Sequence, residues 1–292
     1  MRVTDSMLSE LTRTGLAAAR ERASEAQRVA SSGLRVEKPS DDPTAAAVGR
    51  RKQNEIERID ALLKTADVGA FALTVVDDTF AHMSELSARA KELAVQAAND
   101  TLSAADRAGI ATEISSLREA MLAAANTRVD GKYVLGGLRE DAPPFDAAGT
   151  FTGDRSVREV EVAPGVRVAT SVPAGEVLAP ASGVDVLAAL GRLETSLRAN
   201  DVVGIRTGID EIGSAEEQIL SARSQVGAST QRLDQARALA VRLRDGADES
   251  RAGAVEADAF DALSELARAQ SVLEQAVAIA AKLPIAGLAQ RG

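Results

Sequence analysis

AFDALSELARAQSVLEQAVAIA, residues 259–280, decides the fold. Ala259, Leu263, Leu266, Gln270, Leu273, Val277 and Ala280 recur in it at alternating steps of four and three, the a/d pattern of a helical seam. The other end of the chain answers with Leu16, Ala19, Ala23, Ala26 and Ala30 at the same spacing. Chain ends of ordinary domains fray and seldom carry such a face. Seams on both ends imply that something buries them, either the other end or another copy. That points to assembly rather than catalysis.

Composition agrees. The chain has 292 residues, 45% of them hydrophobic but only 2% aromatic, with no Trp and no Cys. Ala supplies about a fifth of the residues, which favours helix and thin, closely packed layers. Pockets that bind small molecules recruit aromatic side chains and a few placed polar groups, and here there are one His, one Tyr and five Phe. A net charge of −9 argues against nucleic acid, whose phosphates need a basic face. Without cysteine there are no disulfides, thiolate metal sites or thiol nucleophiles, which suits a protein that works outside the cell without oxidative folding. The start MRVTDSMLSE has no signal-peptide pattern, and no run approaches the roughly 18 apolar residues of a membrane span.

Working outward, residues 1 to 34 read as helix ended by Ser31-Ser32-Gly33, and Leu34 to Pro39 as extended chain. Ser40-Asp41-Asp42-Pro43 starts the next helix, with a carboxylate at the N-cap and Pro in the first turn. Its seam is Ile56, Ile59, Leu63, Ala66, Ala70 and Leu73, then, after a slip of phase, Phe80, Met83, Leu86, Ala90, Leu93 and Ala97. Asn99-Asp100-Thr101 is a turn, and Ser103 with Asp106 forms a capping box for a third helix carrying Ile110, Ile114, Leu117, Met121 and Ala124. The short turn implies an antiparallel hairpin, and the third helix is expected to stop near Asp130-Gly131. From Lys132 to Leu178 the period changes to two. Val160 and Val162, then Val166 and Val168, flank Pro164-Gly165, a type II turn signature. Helix returns near Val184 and runs through Ile212, Ile219, Val226, Leu233 and Ala240, with pauses expected at Gly246 and near Gly253. The fold class is mainly α with a small β insertion.

The N-terminal seam is mostly alanine, and a buried methyl returns only about 0.8 kcal/mol against roughly 1–2 kcal/mol of backbone entropy per ordered residue. The ends, about residues 1–40 and 255–292, are therefore expected to be largely disordered in a free monomer and to fold when copies pack. The alternative is a coiled coil of the two ends within one chain.

Candidate chemistry is thin. Asp77-Asp78 and Glu216-Glu217 are adjacent on helices and point about 100° apart, so neither is an acid/base pair. His82 has only Asp78 and Glu85 on neighbouring turns, a weak metal signal. Gly136-Gly137 has no phosphate-loop context, Asn99-Asp100-Thr101 matches a glycosylation sequon that recurs by chance, and Arg50-Arg51-Lys52 reads as a solvated face. No catalytic, cofactor or metal residue is expected.

SSGLRVEKPSDDPTAAAVG, residues 31–49, resembles the N-terminal signature of the flagellins and flagellin-like hook-associated proteins of the bacterial flagellum. Its core Pro39, Ser40, Asp41, Asp42 and Pro43 looks more like the hook-associated branch than like filament flagellin. GKYVLGGLREDAPPF (131–145), FTGDRSVREVEVAPGVRVATSVPAGEVL (151–178) and ARSQVGASTQRLD (222–234) resemble the entry to the β domain, that domain and the returning helix. The resemblance implies a flagellin-like antiparallel long-helix bundle with coiled-coil termini and an outer β domain. The implied division is an inner coiled-coil domain from 1–45 and 251–292, a helical domain from 46–131 and 181–250, and a β domain over 132–180. It further implies an extracellular structural protein at the junction of hook and filament, exported by the flagellar type III system without a cleaved signal. Its implied partners are other copies of itself, an adjoining hook-associated protein, flagellin and an export chaperone. The expected assembly interface is Leu8, Leu11, Leu16, Ala23, Leu263, Leu266, Leu273 and Val277. Pro284 and the polar end Leu288 to Gly292 depart from the family pattern, which touches the inner contacts and the chaperone's reach. Two rivals remain. One is a flagellin with a reduced outer domain. The other is a secreted adhesion or signalling module whose β insertion binds a ligand, for which Tyr133, Phe145 and Phe151 would have to be exposed rather than core.

Overall fold

The computed structural model describes residues 2–282, without the side chains of residues 2–6, 8 and 282. Pro284 and the polar end therefore lie outside the described residues. Seven helices are described, α1 (Arg2–Ser32), α2 (Pro43–Ala97), α3 (Ala104–Ala125), α4 (Ala174–Val177), α5 (Val186–Arg198), α6 (Val202–Val255) and α7 (Ala259–Lys282). Two antiparallel hairpins stand between α3 and α4, namely β1 (Arg128–Val129) with β2 (Lys132–Tyr133) and β3 (Glu159–Ala163) with β4 (Val166–Ala169). The chain forms two compact units, residues 58–243 and residues 1–57 with 244–292.

The unit of residues 58–243 is an antiparallel helical bundle. Arg89 of α2 reaches Glu113 of α3 at 2.7 Å, and Asp77 and Asp67 of α2 meet Arg223 and Arg237 of α6 at 3.2 and 2.8 Å. The two α2–α6 pairs show that these helices run in opposite directions. The seam of α2 is buried as its spacing predicts. Val76, fully buried, joins its two halves, so steps of three follow one another at Ala70, Leu73 and Val76. Such a repeated step overwinds the helix locally and keeps the seam inward. Ser103 and Asp106 make the predicted capping box.

The β insertion shares this core. Phe145, Val162, Val168 and Leu178 are buried in one cluster with Leu73, Ile114, Leu190 and Ile219. Pro164-Gly165 turns β3 into β4 with Gly165 at φ 75°. A register shift between Glu161 and Ala163 puts Val162 and Ala163 both inward, as a bulge does. Phe145 stacks edge-on against Phe151 at 5.3 Å, and Arg155 lies over the Phe151 ring. Phe145 is core, while Tyr133 and Phe151 are half-buried.

Three local expectations need correction. Helix α3 ends at Ala125, not near Asp130-Gly131; Asn126 caps it, and its amide also pairs with the backbone of Phe145 at 3.0 and 3.1 Å. Asp130 and Gly131, at φ 49° and 83°, form the β1–β2 turn instead. Helix α6 passes Gly246 without a pause and ends only after Gly253. Each exposed glycine costs about 1 kcal/mol against alanine, which a helix of 54 residues tolerates. The returning helical segment is interrupted between α5 and α6, where Asn200 takes a left-handed φ of 54°.

Candidate assembly interface

In the smaller unit α1 and α7 pack on each other. Leu16 lines a groove with Ala276, and Ala26 and Val29 line another with Ala262, so the two helices are antiparallel. Their core is Ala23, Ala26 and Ala269, with Leu266 and Leu273 against it. Both terminal segments are thus helical and paired within one chain, the arrangement set against disorder above. The core explains how little holds them: small side chains let the backbones approach, but each buries little apolar area.

The less exposed positions of α7 are Ala262, Ser264, Leu266, Ala269, Leu273, Ala276 and Ala280. Leu266, Leu273 and Ala280 belong to the predicted seam. Leu263 and Val277 do not face α1 and stay 61% and 46% exposed. Phe260 is 79% exposed beside Leu263, and Val272 and Ile279 are exposed on the opposite flank. On α1, Ala23 is buried, Leu16 half-buried and Leu11 exposed; the side chain of Leu8 lies outside the described residues. A helix that is apolar on several faces is normally surrounded, and α1 covers only one of them.

The signature 39–43 closes a clasp between the two ends of the chain. Asp42 caps α2 by accepting from the N–H groups of Thr44 and Ala45, at 3.0 and 2.9 Å. Asp41 accepts from the N–H groups of Lys38 and Glu37, at 2.9 and 3.1 Å, and so shapes the extended turn. Pro39 and Ser40 are exposed, and Pro43 opens the helix. The loop then holds the C-terminal half: Arg35 and Val36 donate backbone N–H groups to the Val255 carbonyl at 2.8 and 3.1 Å, and Ala257 returns one to Gly33 at 2.9 Å. Arg35 also donates its guanidinium to the Ala254 carbonyl and pairs with Asp42. Arg28 of α1 pairs with Glu25, Glu37 and Asp41. Gly49 sits close to the same contacts, since a Cβ there would lie 2.5 Å from Val255 Cγ1 and would displace that side chain.

The hydrogen bond from Lys38, then that from Glu37, holds the Asp41 carboxyl below its ordinary value, and the bond from Ala45 does the same for Asp42. A depressed folded value means that the clasp's ionic contribution is complete at neutral pH and is lost as pH falls through that value. Carboxyl chemical shifts in an NMR titration should give midpoints for both residues below 3.8, the ordinary value. A midpoint at or above it would show that the turn does not exist in solution.

Among the described residues no group of three His, Cys, Asp or Glu could hold a metal ion, and no helix is long and apolar enough to cross a membrane. His82 is exposed with Glu85 at 3.9 Å.

Comparison with known proteins matches this arrangement. Residues 3–140 fit the family model of the bacterial flagellin N-terminal helical region. The N-terminal part of the chain is thus similar to the flagellin-like family. The flagellar hook-associated protein 3 of Salmonella typhimurium is 29% identical over 170 residues, 54% of this chain and 51% of that protein. The match thus spans about half the length of this curated relative. Flagellins of other bacteria match over shorter stretches. The fold is that of a Vibrio parahaemolyticus protein described as a flagellar hook-associated protein (21% identity, TM-score 0.69, 74% of this chain and 100% of that one). It is also that of hook-associated protein 3 from Legionella pneumophila (15% identity, TM-score 0.62, 69% and 97%). α1 and the signature 39–43 lie within the matched residues 3–140, and α7 packs on α1 from the other end of the sequence.

Proposed function

We propose that this chain is a structural subunit of the hook–filament junction that assembles with copies of itself through α1 and α7. The observation that carries self-assembly is α7, whose Leu263, Val277, Val272 and Ile279 flank a seam already filled by α1. The junction rather than the filament is favoured by the longer match to hook-associated protein 3. On this reading residues 1–45 and 251–292 form an inner layer, 46–131 and 181–250 the helical layer around it, and 132–180 the outer part. Its neighbours are the adjoining hook-associated protein and flagellin. An export chaperone holds its C-terminal region before passage through the flagellar type III channel to the cell exterior. No reaction is assigned to it.

Deletion of the gene tests the reading. Bare hooks with flagellin lost to the medium are the expected result. Bare hooks without secreted flagellin would make this chain the filament subunit, a flagellin with a reduced outer part, and unchanged flagella would overturn both.

A further inference from the structure

The clasp has a second property that its internal bonds do not use. Beside it lies a mainly apolar hollow of about 300 Å³, lined by Leu34, Val36, Pro39 and Val255 and also by Glu37 and Gln53. Arg50 stands on its rim and has no ion-pair partner among the described residues. Arg251, also on the rim, is already paired with Asp248 and Glu256.

A matching projection stands at the start of α7. Phe260 is 79% exposed, more than any other large apolar side chain described. Its backbone is fixed at the start of α7, because Asp258 Oδ1 accepts from the N–H groups of Phe260 and Asp261 at 2.8 and 3.1 Å. The Asp261 carboxylate beside it has no ion-pair partner among the described residues. An exposed aromatic ring next to an unpaired acid therefore faces solvent close in sequence to an apolar hollow rimmed by an unpaired base. Buried aromatic anchors dominate interfaces.

We propose that Phe260 of one copy seats in the Leu34–Val36–Pro39–Val255 hollow of a neighbouring copy, with Asp261 meeting Arg50. This rests on the self-assembly reading above and names its contact. Val255, in the hollow, and Phe260 are five residues apart, so each copy offers hollow and projection at the same level of the same unit. The contact is heterologous, head to tail, and repeats around a ring or a helix.

Charge reversal tests it in cells. Arg50→Glu and Asp261→Arg should each lower incorporation into flagella roughly tenfold, and the double variant should restore it to within about twofold. Single variants that incorporate normally, or a double variant no better than either single one, would overturn the proposal. A photoreactive p-benzoylphenylalanine in place of Phe260 identifies the occupant directly. Crosslinking to residues 34–53 of a second copy is expected, and crosslinking to another flagellar protein or elsewhere on the chain would overturn the contact. Were the wild-type chain absent from flagella, the assembly reading itself would fall. The same crosslink, sought in concentrated purified protein, would then still decide the contact.

Discussion

Leu273→Asp is expected to remove the protein from the flagellum while leaving residues 58–243 folded. Leu273, half-buried, packs with Leu266 against the buried Ala23, Ala26 and Ala269 between α1 and α7. Fully burying a leucine stabilises by about 1.5–3 kcal/mol, of which the half-buried Leu273 supplies a part, and a carboxylate at the same place is partly desolvated. A contact built mainly from alanines has no reserve to absorb that loss. The larger unit has its own core, in which Leu73, Phe80, Ile114, Leu190 and Ile219 take part. Far-UV circular dichroism should therefore lose at most the share of α1 and α7, 31 and 24 residues, and the thermal transition of the rest should stay. Electron microscopy and immunoblots of sheared flagella give the other half of the test. Normal incorporation would deny the α1–α7 pair a role in assembly, and loss of the whole transition would show that the two units do not fold independently.

Much of the fold was legible because local chemistry and tertiary packing agree along the chain. The Ser103–Asp106 box, the Asp42–Pro43 helix start and the Pro164–Gly165 turn each have one local solution, and the structure adopts it. Period alone was less decisive where a helix offers more than one apolar face. On α7, the stripe through Leu263, Gln270 and Val277 and the stripe through Ala262, Ala269 and Ala276 are both compatible with a seam. The structure takes the second towards α1, since alanines admit the close approach that an alanine-rich α1 requires. Asp130-Gly131 misled for a related reason: the pair stops helices and also opens tight hairpins, and only the pairing of Arg128 with Tyr133 decides between them. The clasp was visible as a signature but not as a clasp, because its partners, the carbonyls of Ala254 and Val255, are backbone groups more than 200 residues away. Sequence patterns of side chains carry no record of which carbonyl a loop will meet.

Arg107 left no trace in the sequence reading at all, and its replacement should have the largest effect on stability. Its side chain, in the first turn of α3, is 4% exposed. The guanidinium donates to the Ala97 carbonyl and the Asn99 carbonyl, both at 2.9 Å, and to Asn200 Oδ1. It thereby closes the C-terminus of α2, where unpaired carbonyls concentrate negative potential, and fixes the left-handed Asn200 that turns α5 into α6. One side chain thus ties both turns of the bundle at that end. Arg107→Met keeps most of the volume and avoids a stranded charge, but leaves two carbonyls and an amide without their donor. A buried group that loses its partner costs about 1–3 kcal/mol, so a loss on the order of 3 kcal/mol is expected. For a unit of this size that lowers the melting temperature by roughly 10 °C. Arg107→Lys should recover only part of it, because an ammonium cannot span two carbonyls and an amide in the plane of a fork. Differential scanning calorimetry of the three proteins decides the matter. A methionine variant melting within about 2 °C of the parent would mean that water replaces the guanidinium at no cost, and that the two turns are held by packing of Leu193, Leu197 and Ile205 alone.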